Sequence, residues 1–400
     1  MKDLGTLVMV GGGIQQVNAV KIAQDAGYKI LVTDRNENAP CSKVSDYFVA
    51  IDGRNVEDLA AYILIHKTEF NIKGIFTLTE LVTTVAVVAE AAKLPSVHIS
   101  SAITCQNKKL CKDVWIDNNI STPKGMSVSS HDEALNCFNI LNKKVFIKPV
   151  VGFGGINSQK ILSRQELKRV FSHSTKEMII EEYIEGSMHD VNGLYDANGV
   201  FYPMGIVDRS FLDKFPVESR TSSPSLLDPE EQDELYKLLE TSTRALGITW
   251  GPVKGDTVYS DKKFKMLEVA PRLHGPKSSL YVLPSSGVNC FELSLDVISG
   301  RNKLSSYTIN QDKFSVCQAI LPPIGSYFKS AMCNKNFSKT ELLILKNNNY
   351  RIREYKNSAD VPAYIMATSS SFQGCDSIIK RHVNIINEND IVPQQIKTTI

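Results

Sequence analysis

The 400-residue chain has no CxxC pair among its eight cysteines, no apolar run of membrane-spanning length and almost no net charge. Each absence narrows what the protein does. Scattered cysteines argue against a disulfide frame or a zinc site and suit reduced thiols, so we expect a cytoplasmic protein. The longest apolar stretch, 81–94, carries Glu90 and Lys93 and is too short for a bilayer, so no membrane partner is expected. A net charge of +2 supplies no field for nucleic acid or anionic lipid, and no long basic run or RNA-binding signature occurs. Internal repeats and low-complexity tracts are missing. So is a Walker A loop, whose lysine follows its glycines, and this argues against a P-loop NTPase. The opening "MKDLGTLVMVGGG" has the outline of a signal peptide. However, Asp3 sits in its charged region and Gly11 to Gly13 end a short apolar run, so we read it as a first β-strand.

What is present is an ordinary globular composition, 42% hydrophobic and 22% charged, long enough for two to four domains. "LGTLVMVGGG" reads as strand and turn, "QQVNAVKIAQDAG" as a helix stopped at Gly27, and "YKILVTDRN" as a buried strand ending at Asp34. "IKGIFTL" and a helix over about 80–93 continue an alternation that predicts a parallel sheet with right-handed crossovers. From about 106 the texture changes. "NKKLCKDVWIDNNISTPKG" reads as a helix and a proline turn, while "KVFIKPV" and "EMIIEEYI" read as strands around a glycine loop and a helix near 164–171. In "LLDPEEQDELYKLLETSTRALG", Asp228 is the predicted N-cap and Pro229 the first helical residue. Leu235, Leu238, Leu239 and Leu246 share a face, and Gly247 is the stop. The last hundred residues mix short strands with a helix near 374–382, a small α+β unit.

Three stretches carry chemistry. "GGGIQQ" begins a G-x-G-x-x-G fingerprint, but Gln16 stands in the third glycine's place, and Asp34 lies where a ribose-binding acid would. A nicotinamide site and a tight turn lining a substrate cleft at Gly12 and Gly13 both remain open. In "KKVFIKPVVGFGGINS", alternation puts Val145 and Ile147 on one side of a strand and Phe146 and Lys148 on the other. Lys148 is then either a point charge under a phosphate-covering loop or a solvated strand-end lysine. "GPVKGDTVYSDKKFKMLEVAPRLHG" reads as a hairpin. A turn with an odd number of residues centred on Lys262 would set Asp256 directly opposite Glu268, with Cβ atoms roughly 5 Å apart. Such like charges call for a divalent cation, whereas a two-residue turn would break this register. If the second strand stays extended, Glu268, Ala270 and Arg272 share a face. A surface hairpin with screened charges is the alternative.

In order and spacing, these stretches resemble the ATP-grasp superfamily of carboxylate–amine ligases, its amino-acid ligase and phosphoribosylglycinamide-synthetase-like branch. The resemblance spans nearly the whole chain. It implies an α/β and α+β architecture: a Rossmann-like pre-ATP-grasp domain over 1–100, an ATP-grasp domain over 101–305 with a lid over about 115–185, and a C-terminal α+β domain over 306–400. "NKKLCKDVWIDNNISTP" is similar to the family's helix with a first phosphate-binding lysine, here Lys108. "VFIKPVVGFGG" resembles the second lysine, Lys148, with its phosphate loop at Gly152, Gly154 and Gly155. "IIEEYIEGSMHDVNG" resembles the adenine-gripping hinge, implying Glu181, Glu182, Tyr183 and Ile184 as ATP contacts. "LEVAPRLHG" resembles the metal strand, with Glu268 as ligand and Arg272 near the reacting phosphate, and Asp256 stands where the family usually has glutamate. "SRTSSPSLL" and the tail "YIMATSSSFQGCDSIIKRHVNII" extend the likeness.

Three positions depart from the pattern. Ala270 replaces a metal-binding asparagine, Met188 stands where a ribose-binding glutamate is common, and Pro276 removes a backbone donor. The resemblance implies ATP and Mg²⁺, or Mn²⁺, and small-molecule carboxylate and amine substrates. Arg220 is expected at a substrate carboxylate and His274 at substrate or as a base, and base rates favour a homodimer. Rival readings are a purine-pathway ligase acting on a phosphoribosyl substrate or bicarbonate, a nicotinamide-dependent oxidoreductase, and a catalytically weak nucleotide-binding protein.

Overall fold

The computed structural model describes all residues except 1–3, 153, 174–176, 302–303, 305–306, 330–339, 347–348 and 393–400. Its first elements are β1 (Thr6–Val10), α1 (Val17–Asp25), β2 (Lys29–Thr33), β3 (Tyr47–Val49), α2 (Val56–His66), β4 (Ile72–Thr77) and α3 (Val82–Ala91). Then come α4 (Ile99–Gln106), α5 (Lys108–Asp117), β5 (Gly125–Val128), α6 (His131–Ile140), β6 (Val145–Pro149), β7 (Gln159–Ile161), α7 (Arg164–His173) and β8 (Met178–Glu182). Strands β9 (Ser187–Tyr195), β10 (Phe201–Phe211) and β11 (Glu218–Ser223) lead to α8 (Pro229–Ala245), β12 (Gly251–Ser260) and β13 (Lys263–Ala270). Two short helices, α9 (Leu283–Ser286) and α10 (Cys290–Ile298), precede β14 (Phe314–Ile320). The last elements are β15 (Tyr327–Phe328), β16 (Thr340–Ile344), β17 (Tyr350–Arg351), β18 (Ala363–Ser369), α11 (Phe372–Asp390) and β19 (Ile391–Val392).

The chain divides into two compact units. The first gathers Met1–Pro123, Ile184–Val207 and Ser225–Asn310. Its N-terminal part is a parallel sheet of order β3-β2-β1-β4, as the strand–helix alternation predicts. Val8, Val10, Leu31 and Ile75 pack there against Leu59, Ile63 and Val88 from the helices. The same unit contains the antiparallel strands β13, β12 and β9 in that order. Trp115 of α5 and Leu235 and Leu239 of α8 pack with Val253, Met266 and Val269 of these strands. Helix α8 starts as its sequence dictates: Asp228 accepts from the Glu231 amide while the Glu231 side chain accepts from the Asp228 amide, a complete capping box.

The second unit gathers Lys124–Tyr183, Asp208–Pro224 and Gln311–Ile400. An antiparallel sheet of order β5-β8-β6-β7 buries Val145, Ile147 and Ile180 against Phe138 and Leu167 of its two helices. Strands β11, β14, β18 and β16 pair in that order, with Val316, Ile365 and Ala367 packed on Cys375 and Ile379 of α11. Short strands β17, β15 and β19 form a further small sheet. Among the described residues no helix is long and apolar enough to cross a membrane.

Candidate active site

The hairpin β12–β13 is the centre of the first unit's chemistry, and it reaches the predicted pairing by another route. Its turn has two residues, Asp261 and Lys262, both with positive φ (50° and 57°), and Ser260 pairs with Lys263. Continued unbroken, that register would pair Asp256 with Leu267. A β-bulge between the Asp256 and Thr257 rungs absorbs Leu267 as an extra residue, and Asp256 faces Glu268 after all. The expected odd-numbered turn is therefore corrected, and the bulge supplies the missing residue of parity. On the other side of β12, Asp256 pairs with Asp190 of β9. Glu268, Asp256 and Asp190 form one rung across three strands and share a face, with like charges side by side.

The next rung on that face is Ala270, Lys254 and Asn192. The Lys254 Nζ lies 2.9 Å from Asp256 Oδ1 and 3.0 Å from Glu268 Oε1, on a residue only 3% exposed. Burial works against its charge, but Asp256 and then Glu268 outweigh it and hold its pKa above the ordinary lysine value. Lys108, the first residue of α5, sets its Nζ 3.4 Å from Glu268 Oε2. Arg272, just past β13, donates to the Glu80 carboxylate and, over 2.9 Å, to the Leu273 carbonyl, while its Nε is buried with no hydrogen-bond partner among the described residues. His274 Nδ1 accepts from the Gly275 amide at 2.9 Å, which places the ring proton on Nε2. That Nε2 faces Asp190 and, at 3.2 Å, Asp256 Oδ1.

This network joins Lys108, Asp256, Glu268 and His274 of the expected residues. Sequence reasoning missed Lys254, Asp190 and Glu80. The rule that aligned Glu268 with Ala270, applied to β12, would have put Lys254 beside Asp256; nothing local marks Glu80, which lies 192 positions from Arg272. The residues fit a hard divalent cation by donor type. Three carboxylates face two ammonium groups, and Glu80 pairs with Arg272. Asp190, Asp256 and His274 also bring possible ligand atoms within 4.8 Å of one another.

Elsewhere in the first unit, the Gly12 amide donates to Asp34 Oδ2 at 2.8 Å, and the Asn36 amide donates to Oδ1 at 2.9 Å. A Cβ on Gly12 would lie 2.9 Å from Val32, and one on Gly13 2.8 Å from the Gln16 side chain. Asp34 thus holds the turn's own backbone with both oxygens. This structural role accounts for the incomplete fingerprint and removes the support for a nicotinamide site.

In the second unit, Lys148 lies one residue before the end of β6, on the face opposite the core residues Val145 and Ile147, as alternation predicts. Its Nζ lies 2.8 Å from Glu181 Oε2, and both side chains are buried. Glu181 is therefore a partner of Lys148 as well as an expected ATP contact. The glycine loop follows, with Gly154 and Gly155 at φ of 63° and 73°. A Cβ on Gly155 would also approach Pro216 to 2.8 Å, so glycine is required there twice over. Gly152 packs near Pro149, and the Gly154 carbonyl accepts from Ser358 Oγ at 3.3 Å. Glu182 Oε1 accepts from the Lys124 amide at 2.9 Å, and the Tyr183 ring is flanked by Lys144 and Lys160 at 5.2 and 4.6 Å. Ile184 opens the next segment of the first unit. Arg220 on β11 pairs with Asp376 of α11 at 2.7 Å.

Residues 105–276, which carry Lys108, Lys148, Asp256, Glu268 and Arg272, match the family model of the ATP-grasp domain. Over those residues the chain carries an ATP-grasp domain. The chain is 22% identical over 342 residues to the large chain of carbamoyl phosphate synthase from Clostridium acetobutylicum. The alignment covers 81% of this chain but 31% of that protein, so the chain spans about a third of that relative's length. It is 22% identical over 338 residues to the 3-methyl-D-ornithine–L-lysine ligase of Methanosarcina mazei, with 81% of each covered. The crystal structure of an L-amino acid ligase from Bacillus licheniformis shares the fold, with a TM-score of 0.80 at 20% identity over 99% of this chain and 100% of that one.

Proposed function

We propose that this ATP-grasp protein is an ATP-dependent ligase that joins a small-molecule carboxylate to an amine through an acyl phosphate. A carboxylate oxygen attacks the γ-phosphorus and the bond to the β-phosphate oxygen breaks, releasing ADP. The amine nitrogen then attacks the acyl carbon, the C–O bond to phosphate breaks, and inorganic phosphate and the amine proton leave. The observation that carries this reading is the rung of acidic residues around Asp256 and Glu268, flanked by Lys108 and Lys254, inside the segment that matches the ATP-grasp domain.

The chemistry demands that anions be brought together, and cationic groups supply it. Asp256 and Glu268 are the proposed ligands of Mg²⁺, with Mn²⁺ as its substitute. When bound, the cation neutralises phosphate charge. Lys108 and Lys148 hold phosphates, Arg272 stabilises the transferring phosphoryl group, and the loop at Gly152, Gly154 and Gly155 covers it and excludes water. Glu181, Glu182, Tyr183 and Ile184 bind the nucleotide base. Gly12, Gly13, Arg220 and His274 are assigned to the organic substrates. The same reading keeps the division into 1–100, 101–305 with its lid over about 115–185, and 306–400, and makes the protein a cytoplasmic homodimer.

The test is ADP release over pooled amino acids, with mass spectrometry of the product. Glu268→Gln should abolish ADP release while the far-UV circular dichroism is unchanged. Turnover retained by that variant would remove Glu268 from the metal site.

A further inference from the structure

We propose that Lys254 is a built-in counter-cation that keeps the Asp256–Glu268 pair closed to divalent metal until a nucleotide brings the metal in. Its ammonium bridges one oxygen of each carboxylate, at 2.9 and 3.0 Å, where a divalent cation would bind both. Two features hold it there. Lys254 lies on the same face of β12 as Asp256, one rung away, so its side chain reaches the pair without leaving the strand. The residue directly across from it on β13 is Ala270, which adds no ligand atom and no bulk beside the lysine. The site is also nearly sealed around the lysine, so water screens its charge weakly and an entering cation meets most of its repulsion.

In the protein alone, Lys254 pairs with Asp256 and Glu268, and Lys108 pairs with Glu268. Carboxylates already paired with ammonium groups attract a divalent ion poorly. A metal that arrives with phosphate oxygens brings its own anionic ligands and depends less on the carboxylates. Metal and nucleotide therefore load together, and Lys254 sets that order. The first arm of the test is independent of the ligase reading, and the second rests on it.

In the first arm, Mn²⁺ is titrated into the nucleotide-free protein and into Lys254→Gln, with free Mn²⁺ read by electron paramagnetic resonance. The expected result is at least tenfold tighter binding, at one ion per chain, in Lys254→Gln. Equal or weaker Mn²⁺ binding by that variant overturns the proposal. A thermal melt confirms that the variant is folded. The second arm uses only the unaltered protein and so stands even if the variant does not fold. A non-hydrolysable ATP analogue should raise Mn²⁺ affinity at least tenfold, and Mn²⁺ affinity that stays the same once the analogue is bound overturns the proposal. Failure of the analogue to bind at all would defeat the ligase reading, and the first arm then decides the role of Lys254.

Discussion

Replacing Lys148 by methionine is the sharpest test of the second unit, because the structure sets both the size and the pH dependence of the effect. Lys148 and Glu181 lie 2.8 Å apart with side chains only 10% and 4% exposed. Removing one partner of a buried pair leaves the other charge less compensated, at a cost of up to about 3–5 kcal/mol. The cost has a ceiling, because the carboxyl can take up a proton instead. From an ordinary glutamate pKa near 4.3, neutralisation at pH 7 costs about 1.4 kcal/mol per pH unit, or about 3.7 kcal/mol. At pH 5 the same escape costs about 1 kcal/mol. Lys148→Met should therefore lose about 3 kcal/mol at pH 7 and about 1 kcal/mol at pH 5. The double variant Lys148→Met, Glu181→Gln should recover most of the loss at pH 7. Urea denaturation of the unaltered protein, Lys148→Met, Glu181→Gln and the double variant at both pH values completes the cycle. Additive single-variant effects, or a loss independent of pH, would refute the argument. The double variant also separates roles: if it regains stability but still binds ATP weakly, Lys148 serves the nucleotide and not only Glu181.

Two further outcomes follow from local features. Asp228→Ala removes the side-chain half of the α8 capping box and should cost about 1 kcal/mol in urea denaturation, with Asp228→Asn close to neutral. The thiols of Cys41, Cys105 and Cys290 are each pushed up to about 12, first by burial and, for Cys41 and Cys105, also by the charges of Asp34 and Glu268. Unfolded thiols ionise near pH 8.5, so the stability these groups contribute is complete below that pH and is lost as pH rises towards 12. Under reducing conditions, unfolding free energy at pH 10 should be lower than at pH 7 by about 2 kcal/mol for each such thiol, and equal stabilities would contradict the buried placement.

Much of the fold was legible because its signals are local. The parallel N-terminal sheet follows from apolar strands alternating with amphipathic helices, and α8 begins where Asp228 and Pro229 place it. The face of Lys148 follows from alternation along β6. Errors arose where one residue changes parity: the two-residue turn at Asp261 and Lys262 was compatible with the right pairing only because Leu267 is bulged out, and no composition signal marks a bulge. The fingerprint at Gly12 was ambiguous for a related reason, since the sequence shows an acid at Asp34 but not that both its oxygens are taken by backbone amides.

By itself the sequence determined which side chains with chemistry exist and, through strand period and helix caps, which way most of them point. Those properties depend on neighbours a few positions away. Only the tertiary structure decided that Asp190 lies beside Asp256, that Glu80 holds Arg272 and that Lys254 sits between two carboxylates. Such contacts join residues far apart in the chain, and their energies come from burial and charge balance that exist only once the strands have paired.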